Sequence, residues 1–147
     1  MNMPHPLIRL AAYGWAAPNT CLGMVIGGLL GGRFRVVSGV VEIQGPRLAW
    51  VLDRLWVPAA ALTLGHCVLG QSLEALARTR PHERIHVRQY ERWGPLFLPA
   101  YLGASLWLYA TGRDGYRHNP FESEAFAGCE PDAAPTTGLD RDLRPRI

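Results

Sequence analysis

Pro81 and the pair Gly94-Pro95 bracket a stretch whose pattern leaves few choices for its surroundings. A proline lacks an N–H that a first helical turn does not use, and Gly-Pro stops a helix, so the spacing predicts a helix from Pro81 to about Trp93. On that helix His82, Ile85, His86, Gln89 and Trp93 share one face, while Arg80, Arg84, Arg88, Glu91 and Arg92 share the other. The His face therefore points inward. Two buried imidazoles beside a carboxylate are costly to bury unless they share a partner, so the surrounding fold has to supply one.

The order His82-Glu83-Arg84-Ile85-His86 suggests what that partner is. Residues four apart on a helix stand one above the other, so both imidazoles can offer a nitrogen to one tetrahedral metal ion. Glu83 lies about 100° round the helix from His82, where it reaches a water at the metal without being a ligand. Zinc brings the pKa of such a water toward 7, and the carboxylate takes its proton as general base. With five His and seven Glu in the chain, shuffling would produce this pattern roughly once in a hundred sequences, so the context decides.

Zinc with two His needs a third protein ligand that leaves one position open. Downstream, Asn119-Pro120 reads as a cap and first-turn proline for a short helix over Phe121 to Ala127, which carries Glu122 and Glu124. Either can serve. The run from Pro95 to Ala110 is nearly long enough to span a bilayer, but a span would leave that ligand about 25 Å from the histidines. It is expected to pack back along the motif helix.

At 147 residues the chain suits one modest core. Forty-eight per cent of residues are apolar and 18% charged, which excludes a disordered chain. All fifteen basic residues are Arg, scattered rather than massed, and no nucleic-acid-binding signature accompanies them, so nucleic acid is not expected as a partner. Cys21, Cys67 and Cys129 form no Cys-x-x-Cys pair and point to a reducing compartment. The apolar stretch 7–32 resembles a signal-anchor, but Pro18-Asn19-Thr20 is expected to split it into two helical pieces too short to cross a membrane. Residues 1–32 thus form a candidate membrane anchor, 33–127 the metal-binding domain, and 128–147 a disordered tail.

Within the domain, Arg33 to Ile43 reads as a hairpin around Ser38-Gly39. Leu48 to Trp56 is ambiguous between strand and helix, Ala60 to Leu69 reads as one strand closed by Gly70, and Ser72 to Arg78 as a short helix of its own.

The order strand, His-Glu-x-x-His helix, apolar helix and Glu-bearing helix resembles the Glu-liganded zincins, which include thermolysin and the CAAX-prenyl protease type. In the latter, Ala follows the ligand Glu by three residues and Asp by four. Laid on this chain, that resemblance implies Glu122 as ligand, with Ala125 matching and Phe126 standing where the Asp would be; Glu124 is the alternative ligand or the replacement for that Asp. It also implies that Ala61 to Leu69 edges the cleft and pairs with an extended peptide, and that Tyr116 or His118 stabilises the transition state. The stretches Leu64-Gly65-His66, His82 to Pro95 and Asn119 to Glu122 further resemble a group of small bacterial proteins without an assigned substrate. The expectation is an α+β, zincin-like domain with a small antiparallel sheet, an apolar N-terminal helical segment, and zinc on His82, His86 and Glu122. Glu83 and Tyr116 would be catalytic, the substrate a peptide or protein, and the location bacterial, membrane-associated or cytoplasmic.

Overall fold

The computed structural model describes residues 6–129. It is an α+β arrangement in which a four-stranded sheet is covered on both faces by helices. In chain order the elements are α1 (Pro6–Leu29), β1 (Arg33–Val37), β2 (Val40–Gln44), α2 (Pro46–Asp53), β3 (Ala61–Leu64), β4 (Cys67–Gly70), α3 (Leu73–Trp93), a 3-10 turn (Gly94–Leu96), α4 (Phe97–Ala110) and α5 (Pro120–Cys129).

The first hairpin forms as its sequence predicts. Ser38 and Gly39 both take positive φ, 49° and 79°, the backbone that matches a two-residue turn to the twist of its strands. The second hairpin corrects the expectation of one long strand over Ala60 to Leu69. The chain reverses at Gly65, whose φ is +63°, and β3 pairs antiparallel with β4. A Cβ at Gly65 would stand 2.3 Å from Thr20 Oγ1 and 2.7 Å from the Ala16 carbonyl oxygen, so only glycine lets this turn press onto α1.

The sheet order is β1-β2-β4-β3, and β2 and β4 run parallel. The expected antiparallel sheet is therefore a mixed one. The connection through α2 carries the chain across the sheet, so β4 enters beside β2 in the same direction. Alternation then sorts the side chains. Ile43, Leu64, Cys67 and Leu69 pack with Leu48 and Leu52 of α2 and with Ile26 of α1, whereas Val40 and Val68 pack with Leu76 and Val87 of α3. Truncating a buried leucine such as Leu76 would cost about 2–5 kcal/mol.

Two prolines expected to divide helices do not. Pro18 lies inside α1 and Pro81 inside α3, so the N-terminal run is one helix and the presumed short helix 72–78 is continuous with the motif helix. Each proline removes one hydrogen bond, to the carbonyl of Gly14 or Ala77 respectively. All four residues are exposed, so water replaces the missing donor. Ser72 caps α3 by accepting from the Ala75 amide at 3.1 Å. α1 buries Ala16, Asn19, Gly23 and Gly27, and its small residues allow close approach: a Cβ at Gly27 would stand 2.6 Å from Ile43 Cδ1.

Among the described residues no helix is long and apolar enough to cross a membrane. Gly128 and Cys129, expected to belong to a tail, complete α5; the rest of that expectation, residues 130–147, lies outside the described residues. Leu48 to Asp53 is helical, as part of α2.

Candidate metal centre

α3 is fixed against the sheet by its polar residues as well as its apolar ones. Glu42 on β2 accepts from Arg80 at 2.7 and 3.0 Å and from Arg35 at 2.8 Å, and Thr63 on β3 donates its hydroxyl to Glu83 Oε2 at 2.6 Å. Arg84 donates to the Val37 carbonyl. The Arg-rich face is thus tied in part to the rest of the fold: Arg80 and Arg84 grip the first hairpin, and Glu91 meets the buried His66 at 2.9 Å.

α4 turns back rather than running away from α3, and the segment after it closes the loop. Asp114 Oδ1 accepts from the amides of Tyr116 and Arg117, both at 2.9 Å, forming a tight Asx turn. Asn119 is fully buried and works in two directions. Its Oδ1 accepts from the Phe121 amide at 3.0 Å and caps α5, while its amide nitrogen donates to the Tyr101 carbonyl and to Ser105 Oγ on α4. This grip sets the rotation of α5 and turns Glu122 toward α3.

His82, His86 and Glu122 consequently converge, their ligand atoms all lying within 4.8 Å of one another. His82 Nε2 is 3.1 Å from His86 Nε2 and 3.1 Å from Glu122 Oε2, and His86 Nε2 is 3.4 Å from Glu122 Oε1. Donors held about 2.0–2.2 Å from a tetrahedral ion stand about 3.3–3.6 Å from each other, which the two imidazole nitrogens nearly match, while Glu122 turns a different oxygen toward each histidine. Two imidazole nitrogens and one carboxylate oxygen are also a donor set suited to zinc.

The hydrogen bonds behind His86 decide its tautomer. Gln89 Nε2 faces the Phe121 carbonyl at 3.0 Å and Glu124 Oε2 at 2.8 Å, both acceptors, so the amide nitrogen must lie there. Gln89 Oε1 then faces His86 Nδ1 at 2.8 Å and requires a proton on it. In a neutral ring this leaves the Nε2 lone pair directed at His82 and Glu122, the arrangement of a metal-binding histidine.

No family model, curated protein or solved structure matches this chain. The functional reading accordingly rests on the geometry.

The two Glu that the sequence left as alternatives are separated by the fold. Glu122 is buried at the cluster, whereas Glu124 is exposed, pairs with Arg92 and holds Gln89. Glu124 is not within the cluster; it stands behind His86, joined to it through Gln89. Phe126 itself packs on the His82 ring with centroids 4.7 Å apart.

Burial works against ionisation of Glu122, but with the imidazoles protonated, hydrogen bonds from His82 and His86, joined by that from Tyr101, outweigh it and bring its pKa down to about 2. Glu83, 6% exposed, is pushed above the usual carboxylate range by burial, an effect that the Thr63 hydroxyl and the two histidines partly offset. A carboxyl raised in this way suits a proton acceptor working near neutrality.

Tyr116 is half-buried and lines the same cleft, its ring edge-on to Phe126, and burial with the nearby charges of Glu122 and Glu83 pushes its hydroxyl up to about 12. His118 is exposed and bonds Asp114, away from the cluster. Tyr101 and Thr63 were not foreseen. Tyr101 Oη donates to Glu122 Oε1 at 2.6 Å, and the clue was there: hydroxyls on Tyr101, Ser105 and Tyr109 in an otherwise apolar helix need partners wherever they are buried.

Proposed function

We propose that this chain is a zinc-dependent metallopeptidase with His82, His86 and Glu122 as ligands and Glu83 as general base. The observation that carries the reading is the convergence of His82, His86 and Glu122, with one ligand atom from each within 4.8 Å of the others, beside the buried carboxyl of Glu83. A zinc ion held by His82, His86 and Glu122 would supply Lewis acidity, polarising a substrate carbonyl and making water a nucleophile near neutral pH.

Glu83 takes the proton of the attacking water as its oxygen bonds to the carbonyl carbon, and hands it to the amide nitrogen as the C–N bond breaks. Thr63 holds the carboxylate in place through its 2.6 Å hydrogen bond. Tyr116, still protonated at neutral pH, is the candidate donor to the developing oxyanion. Among the described residues β3 ends the sheet with an unpaired edge, and Ala61, Leu62 and Thr63 line the cleft, so an extended peptide can add to that edge by backbone pairing.

The test couples elemental analysis to one substitution. The purified chain should carry one zinc per molecule, and Glu83→Gln should keep the zinc while losing peptide hydrolysis. A variant as active as the parent would sink the mechanism.

One observation favours a second reading, a membrane-associated protein whose metal is structural or absent. α1 leaves Ile8, Leu10, Trp15, Val25 and Leu29 exposed, an apolar face suited to lying on a bilayer. Binding to vesicles by a chain that holds no zinc would favour it.

A further inference from the structure

The cleft above His82, Glu83 and His86 has a volume of about 940 Å³ and two apolar walls. Leu55, Trp56 and Leu62 form one, and Leu102, Leu106 and Tyr109 of α4 form the other. These side chains are in water: Trp56 is 91% exposed and Leu106 70%. Covering them is favourable, and exposed apolar groups lining one cleft mark a binding surface. Among the described residues that line the cleft, apart from those of the candidate metal centre, the only Arg, Lys, Asp or Glu is Arg78. A charged group entering between the walls would lose hydration with almost nothing to pair it.

Along the first wall runs the free edge of β3. Its N–H and C=O groups fit an extended chain with its own backbone donors and acceptors, which a lipid tail lacks. This selects polypeptide as the occupant of the cleft.

We infer that the cleft takes an extended polypeptide segment with large uncharged apolar side chains at the positions flanking the His82–Glu83–His86 floor, and rejects segments charged there. The inference rests on the metallopeptidase reading and adds the substrate class. Trp56, Leu62 and Leu106 are its specificity determinants.

The experiment uses the full chain loaded with zinc and fluorescently labelled peptides of about eight residues, long enough to cross the cleft. One peptide alternates Leu with Ser; its counterparts alternate Glu or Lys with Ser. Fluorescence polarisation should show the Leu peptide binding at least about tenfold more tightly than either charged one. Leu62→Glu and Leu106→Glu, on opposite walls and each exposed, should each weaken that binding about tenfold or more, with zinc content and melting temperature unchanged.

Equal affinity for the three peptides would overturn the inference. So would binding of the Leu peptide that survives both substitutions, or wall substitutions that abolish only sedimentation with phosphatidylcholine vesicles, which would assign the walls to a lipid surface. Cleavage is followed separately by mass spectrometry. Selective binding of the Leu peptide without its cleavage supports the apolar segment as occupant and overturns the peptidase reading alone.

Discussion

Tyr101 donates its hydroxyl hydrogen to Glu122 Oε1 at 2.6 Å, joining α4 to the carboxylate that completes the candidate metal centre. Partners of this kind orient a ligand and raise its affinity for metal. Tyr101→Phe should weaken zinc binding about 10–100-fold while leaving the fold intact. Competition with a chromogenic chelator measures the change.

Gln89 performs the same service for His86. Gln89→Leu removes the acceptor that fixes a proton on Nδ1 and also breaks the contact with Glu124, so zinc affinity should again fall about 10–100-fold. Glu124→Gln, whose amide still reaches Gln89, should cost much less, because Glu124 stands outside the cluster. A loss in Glu124→Gln as large as in Glu122→Gln would contradict this assignment.

Thr63→Val deletes the hydroxyl that stabilises the ionised form of Glu83. The carboxyl is already raised by burial, and losing this hydrogen bond raises it further. A base must be deprotonated to act, so the acid limb of the kcat/KM profile should move to higher pH, with zinc content unchanged. A loss of rate with an unmoved limb would mean that Thr63 only supports the fold.

Glu42 is held below its ordinary value of 4.5, chiefly by the hydrogen bonds from Arg80, with burial opposing and Arg35 adding to the effect. A group whose folded pKa is lowered contributes stability that is complete above the unfolded value and is lost as pH falls through the folded one. Glu42→Gln should therefore cost about 1–3 kcal/mol at pH 7, allowing for the solvent around Arg35. The gap should shrink as pH drops below about 4.5. Urea unfolding of both proteins across that range measures it.

Because His82 and His86 lie on α3 and Glu122 on α5, an ion bound to all three ties the two helices together. Stripping zinc with a chelator should lower the melting temperature, and the effect should vanish in Glu122→Ala. An unchanged melting curve would count against Glu122 as a ligand.

Much of the local structure was legible in the sequence. The Ser38-Gly39 turn, the start of α5 at Asn119-Pro120 and the stop of α3 at Gly94-Pro95 are each set by a few neighbouring residues. The His82 and His86 pairing follows from helical periodicity alone. The misreadings came from Pro18 and Pro81, where local chemistry argues for a break. The helices continue because the freed carbonyls face water, a property of where α1 and α3 sit on the sheet. Likewise, the β3–β4 hairpin depends on Gly65 being pressed against Ala16 and Thr20, far away in sequence.

The sequence by itself determined that two histidines and a carboxylate share one helix, since a period of 3.6 residues is local geometry. It also offered Glu122 and Glu124 on a second helix. Those two positions lie about 200° apart round that helix, nearly opposite, and nothing local says which one faces inward. Tertiary structure decided it. Asn119, capping α5 while gripping Tyr101 and Ser105 of α4, fixes the rotation that sends Glu122 to His82 and His86 and leaves Glu124 to Arg92 and Gln89.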